Sequence, residues 1–88
     1  MRLWPRSDAC KVQDEVCLRL GARIREFRKD RGWRQIDLSQ HSGVHEVHIS
    51  DLERGTREGG LRTLVALAKA LEITLSDLVL GIERNEGR

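Results

Sequence analysis

The chain has 88 residues, of which 39% are hydrophobic and 34% charged, and its formal net charge is +2. Those values describe one small soluble globular domain and exclude a disordered or membrane protein. A chain this short buries only about two-thirds of its surface on folding, which leaves no room for a deep cleft between lobes.

The opening Met1–Arg6 lacks the long apolar stretch of a secretory signal, and residues 1–7 are expected to form a loose tail. Apolar residues then recur at helical spacing, while β-branched runs with period-two alternation are missing. Val12, Val16, Leu20, Ile24 and Phe27 form the expected buried stripe of a first helix. That helix is expected to start between Asp8 and Leu18 and to stop before Gly32, a left-handed terminator. Gly21 weakens the stripe, because glycine is a poor helix former. On one helix Cys10 and Cys17 would stand about 10 Å apart at 1.5 Å rise per residue, too far to bridge. Two cysteines also make no disulfide scaffold. A reducing, cytoplasmic compartment is expected, with a bridge between two chains as the alternative.

A short second helix fits Gln35–His41, followed by the turn signal Ser42-Gly43. A third fits His45–Arg54, with Gly55 closing it, and Thr56–Gly60 reads as a loop. A fourth fits Leu61–Glu72, with Leu61, Leu64, Leu67, Ala68 and Leu71 on one face. Thr74 and Asp77 form a variant capping box that opens a fifth helix. It presents Leu75, Leu78 and Val79 and ends near Gly81. The last residues, Glu83–Arg88, are charged and expected to fray.

The expected fold is therefore all-α, with five helices. Helices 2 and 3 lie about three residues apart across a glycine, the spacing of a helix-turn-helix. Leu38, Val44, Ile49 and Leu52 would bury, small Ser39 would let the two helices approach, and Gly43 would make the turn. Charge is uneven along the chain. Residues 19–34 carry seven basic side chains against two acidic ones, and residues 35–60 carry two basic against five acidic. A basic stripe can attract phosphate. Charge alone fits a solvated helix face better.

LGARIREFRKDRGWRQ (residues 20–35), ISDLERG (49–55) and LRTLVALAKAL (61–71) resemble the first helix, the recognition-helix end and the fourth helix of the lambda-repressor-like family. That family contains phage repressors, Cro and the Xre regulators. The resemblance covers about residues 18–81, leaving 1–17 as an N-terminal extension, partly helical in expectation, and 82–88 as a tail. It implies sequence-specific binding of double-stranded DNA, as a homodimer on a two-fold operator. Carried over by position, Glu46, Val47, Ser50 and Asp51 face the bases in the major groove. Arg34, Gln35, Arg54 and Arg57 fall near backbone phosphates. His45 sits where the third helix is normally capped by Ser or Thr, and both His45 and His48 could contact phosphate. Arg28 and Glu53 match an ion pair between helices 1 and 3. Dimer contacts are implied for Val79, Leu80 and Ile82. The apolar N-terminal segment with Trp4, Cys10, Val12, Val16 and Cys17 is the alternative surface.

Several positions depart from the family pattern. Arg34 replaces a capping Thr, Ser or Asn. Glu46 and Asp51 put carboxylates where Gln, Arg, Ser or Thr is usual. A carboxylate repels phosphate but can accept a hydrogen bond from cytosine N4, and Glu46 is the expected reader. For Asp51 a helix-surface charge or a pair with a nearby Arg is the better reading. Gly59-Gly60 replaces a Pro-Ser pair, so a more mobile loop is expected there. His41, His45 and His48 cluster near the turn, but no ligand set completes a structural zinc site. No metal and no cofactor are expected. A protein-interaction module on the same fold, such as an antitoxin with a toxin-like partner, is the second functional reading. Ser39, Ser42 and Ser50 near the histidines make no nucleophile motif, so an enzyme is not expected.

Overall fold

The computed structural model describes residues 15–83, which form five helices and no strand. They are α1 (Glu15–Asp30), α2 (Gln35–Ser42), α3 (Glu46–Arg54), α4 (Leu61–Ala70) and α5 (Leu75–Leu78). The expected tail at 1–7, and Cys10 and Val12 after it, lie outside the described residues, as does the end of the chain from residue 84. No described helix is long and apolar enough to cross a membrane.

α1 lies across α3, α2 packs on both α3 and α4, and α5 closes the assembly against α4 and α1. Ile24, Leu38, Ile49, Leu52, Leu67 and Leu78 are fully buried where these elements meet. Each contributes roughly 1.5–3 kcal/mol by leaving water. Leu20, Val44, Ala68 and Leu71 complete the same cluster.

The face that α1 buries differs from the expected one. Cys17, Leu20, Gly21, Ile24 and Arg28 are buried, whereas Val16 is 41% exposed and Phe27 only half-buried. The stripe is rotated toward small and charged residues that an apolar count passes over. Gly21 supplies the reason. A Cβ at residue 21 would stand 2.6 Å from the Glu53 carbonyl oxygen and would also collide with that of Leu52. The helix crossing is thus close enough to need glycine, and the residue that weakens the helix locally permits its packing.

Helix ends follow a shared rule with one exception. α1 and α3 both stop in a Schellman arrangement. Trp33 N–H donates to Arg28 O at 3.2 Å and Thr56 N–H to Asp51 O at 3.1 Å, with Gly32 and Gly55 at positive φ. α4 ends the same way, Ile73 N–H donating to Ala68 O at 2.9 Å, but the left-handed residue is Glu72 (φ 61°). Without a glycine to mark the stop, the sequence pattern overruns to Glu72, whereas α4 ends at Ala70. Leu61 also departs from expectation. It is the first residue of α4 and is 68% exposed, because the buried face begins one turn later.

α2 runs one residue further than expected, to Ser42, and α5 is a single turn capped by Thr74, whose Oγ1 accepts from Asp77 N–H at 3.0 Å. At the α2–α3 turn Ser39 does more than leave space. Its Oγ donates to Val44 O at 2.6 Å, while Gly43 takes φ 79°. Gly59, in the loop expected to be mobile, is a close-packing position. A Cβ there would lie 2.8 Å from Leu64 and 3.2 Å from Leu52.

The α1–α3 crossing is open to test. Gly21→Ala ordinarily raises helix propensity by about 1 kcal/mol. Here the overpacking outweighs that gain, and thermal unfolding should show a net loss of about 1–3 kcal/mol. A higher melting temperature would mean that the two helices separate at no cost.

Candidate nucleic-acid interface

α3 places its side chains by helical periodicity alone. Ile49 and Leu52 are fully buried, so Glu46, Val47, Ser50, Asp51 and Arg54, one to two turns apart, share the opposite side. Glu46 and Arg54 are exposed, Ser50 and Asp51 partly so, and Val47 is 61% exposed. The face thus offers a carboxylate acceptor, a bare isopropyl group and a hydroxyl. His48 is half-buried at its edge.

The helix starts at Glu46, one residue later than the sequence pattern suggests, because His45 is its cap. His45 Nδ1 accepts from Val47 N–H at 3.3 Å, the service Ser or Thr usually performs. With Nδ1 accepting, the ring nitrogen that can donate is Nε2.

α3 is fixed at its far end by a buried ion pair. Arg28 Nε donates to Glu53 Oε2 at 2.7 Å and Nη2 to Oε1 at 2.9 Å. Arg28 Nη1 donates to Trp33 O at 2.8 Å. The bonds to Glu53 hold the Arg28 guanidinium above its usual range, against the desolvation that pulls it down. Gln35 joins the network, its Nε2 donating to Glu53 Oε1 at 3.1 Å. The first residue of α2 is thereby tied to the last turn of α3 and to α1. One carboxylate sets the mutual angle of three helices, and losing either member of the pair would strand a buried charge at about 3–5 kcal/mol.

Arg34 precedes α2 and has no capping oxygen. Asp37 supplies the other half of the cap, its Oδ2 accepting from Arg34 N–H at 2.8 Å. The Arg34 guanidinium lies over the same carboxylate, 3.3 Å away. That side-chain bond, and then the backbone N–H, hold the Asp37 carboxyl below its ordinary range. Asp37 has a signal in the sequence, since an acid three residues after an N-cap is a recognisable capping pattern.

Arg54 and Arg57 converge on Asp51. Arg54 Nη2 bonds Asp51 Oδ1, and Arg57 Nη1 stands 3.8 Å from Oδ2. Both arginines remain largely exposed, at 62% and 51%.

The basic run from Arg19 to Arg34 does not form one phosphate-binding stripe. Arg19 donates to Ile82 O at 3.1 Å, and Arg23 to Leu78 O at 3.2 Å and to Asp77 O. Arg31 donates to Leu71 O at 3.1 Å and lies 4.7 Å over the Trp33 ring, which stacks on His41. These arginines serve carbonyls at or just beyond the ends of α4 and α5, a role that sequence position does not signal. Of the surface implied for dimer contacts, Leu80 is 65% exposed, whereas Val79 and Ile82 pack partly on the core. Among the described residues no group of three His, Cys, Asp or Glu side chains could hold a metal ion.

The Asp37 cap carries a pH signature. A carboxyl lowered in the folded state adds stability above its unfolded value of about 3.9, and that stability is lost as pH falls through the folded value. Asp37→Asn should therefore lower the melting temperature at neutral pH, and the gap from wild type should narrow as pH falls below about 4. A gap independent of pH would assign the cap to shape alone.

Residues 24–78 match the helix-turn-helix family. The chain is 39% identical over 66 residues to an HTH-type transcriptional regulator, DdrOP3 of Deinococcus deserti. The match covers 75% of this chain and 51% of that protein, so the chain spans about half of that relative's length. It is 31% identical over 85 residues to the control protein C.SmaI of Serratia marcescens, covering 94% of this chain and 99% of that one. Among solved structures, the restriction-modification controller protein C.AhdI of Aeromonas hydrophila superposes with a TM-score of 0.69 at 34% identity, over 70% of this chain and 94% of that one.

Proposed function

We propose that this chain, which belongs to the lambda-repressor-like helix-turn-helix family of DNA-binding transcriptional regulators, binds operator DNA as a homodimer with α3 in the major groove. The observation that carries this reading is the exposed side of α3, bordered by Arg34 and Gln35 at the start of α2, by Arg54 in its own last turn and by Arg57 just beyond it. The N-terminus of α2 adds backbone N–H groups that favour phosphate. In this reading residues 18–81 are the DNA-binding unit and 82–88 a tail. Residues 1–17 are an extension whose Glu15–Cys17 already belong to α1. The regulator works in the cytoplasm.

The contacts divide by chemistry. Arg34, Gln35, His45, His48, Arg54 and Arg57 address phosphates, which position the domain without specifying sequence. Glu46 accepts from a cytosine amino group, and Val47 suits a thymine methyl. Ser50 can address either kind of base, whereas Asp51 supports Arg54 and Arg57 and reads no base. Binding-site selection from a random duplex pool, followed by mobility shift, tests this. A recovered two-fold motif is expected. Glu46→Gln should shift preference at one position by about 1–3 kcal/mol. Failure to bind any duplex at low salt would leave the fold to a protein-interaction role, such as that of an antitoxin with a toxin-like partner.

One recognition helix reads few base pairs, so half-sites about 34 Å apart require a two-fold dimer. Leu80 supports the α5 end as its surface, because it is 65% exposed beside the half-buried Val79 and Ile82, so the three form one apolar patch. Sedimentation should find the wild type dimeric at tens of micromolar and Leu80→Asp monomeric. A dimeric Leu80→Asp protein would move the interface away from α5.

A further inference from the structure

Every arginine expected at a phosphate has a carboxylate within reach on the same surface. Arg34 lies 3.3 Å from Asp37. Arg54 and Arg57 share Asp51, the first in direct contact and the second at 3.8 Å. With Glu46 added, three acids face three arginines, so the surface that meets DNA carries no formal excess of positive charge.

Asp51 has the central position. It lies on α3 between the base-facing residues and the arginines, is only 25% exposed, and holds two guanidinium groups by its two oxygens. Arg54 bonds Asp51 through Nη2 and Arg57 Nη1 stands by it as an ion pair at 3.8 Å, so each guanidinium keeps further N–H donors for another acceptor. The carboxylate therefore does two things. It cancels charge that would otherwise attract any phosphate, and it restrains where the remaining donors point.

We propose that Asp51 is a positioning residue that suppresses sequence-independent DNA binding by holding Arg54 and Arg57 until a matched backbone geometry engages their outward donors. The inference rests on the DNA-binding reading above. Sequence-independent binding is almost wholly electrostatic. It needs the arginines to follow phosphates whose positions vary, which means drawing away from Asp51. A matched site presents phosphates in one arrangement, where each guanidinium can keep its carboxylate and donate from its other edge. Asp51 thus opposes the first kind of binding more than the second.

The test compares wild type with Asp51→Asn on a random-sequence duplex and on a duplex selected by the wild type, across a salt series. Asparagine preserves size, and the Asp51 backbone carbonyl keeps its bonds from Thr56, so circular dichroism should show an unchanged fold. Asp51→Asn should bind the random duplex about three- to tenfold more tightly near 0.1 M salt, with a steeper salt slope. Affinity for the selected duplex should change by less than about twofold. Glu83→Gln removes the same charge beyond α5, which packs on α1 and α4, and should leave both affinities near wild type. Equal changes on the two duplexes, an equal effect of Glu83→Gln, or no change on the random duplex would each overturn the proposal while DNA binding stood. Absence of wild-type binding to either duplex would remove the DNA-binding reading and this inference together.

Discussion

The Arg28–Glu53 pair is the constraint on which the placement of the other parts depends. Glu53 has a side chain only 4% exposed, and it accepts from α1 through Arg28 and from α2 through Gln35. A carboxylate so enclosed has few ways to satisfy its oxygens, so the three helices have few ways to sit. Gly21 lets α1 and α3 come close enough for the bonds to form. Hydrophobic burial supplies most of the folding free energy, but it is tolerant of small rotations. Directional bonds to one buried carboxylate are not. The orientation of α3, and so of the face it turns outward, follows from that difference.

The arginines show how a single residue type can serve two purposes. Arg19, Arg23 and Arg31 reach across to carbonyls near the ends of α4 and α5, where helix geometry leaves acceptors without intrahelical partners. α5 has only one turn, so it contributes little helical stability of its own. Two arginines from α1 hold it down. Arg34, Arg54 and Arg57 instead keep their heads in solvent against carboxylates. The two groups divide by surface more than by position in the chain.

Much of this arrangement was legible in the residues. Helical periodicity gave the number of helices and their order, and turn glycines at residues 32, 43 and 55 marked three of the ends. The pair Arg28–Glu53 was readable through resemblance. What could not be read depended on contacts between distant segments. Gly21 looked like a flaw because propensity is local, whereas its purpose lies in α3. The end of α4 was missed because Glu72 adopts a conformation that side chains seldom signal. Val16 was assigned to the core and Cys17 was not, since counting apolar residues fixes a period better than a phase. The capping roles of the arginines have no local signature at all. For the interface, the face of α3 is implied by the resemblance, while the attachment of Arg54 and Arg57 to Asp51 is only one of several readings.

A net charge of +2 is a sum over surfaces with different tasks, and it says little about affinity for a polyanion. Much of the basic excess in residues 19–34 is spent on the protein's own carbonyls, and only Arg34 of that run stands at the proposed interface. The arginines that remain at the interface are matched by acids. Counterion release scales with the phosphates a protein neutralises, so the quantity that matters is the number of guanidinium donors free to leave their internal partners. In this fold that number is set by carboxylate placement on α2 and α3. Recognition that draws little on bulk attraction must draw more on shape and base contacts, and a rigidly held α3 is what such recognition needs.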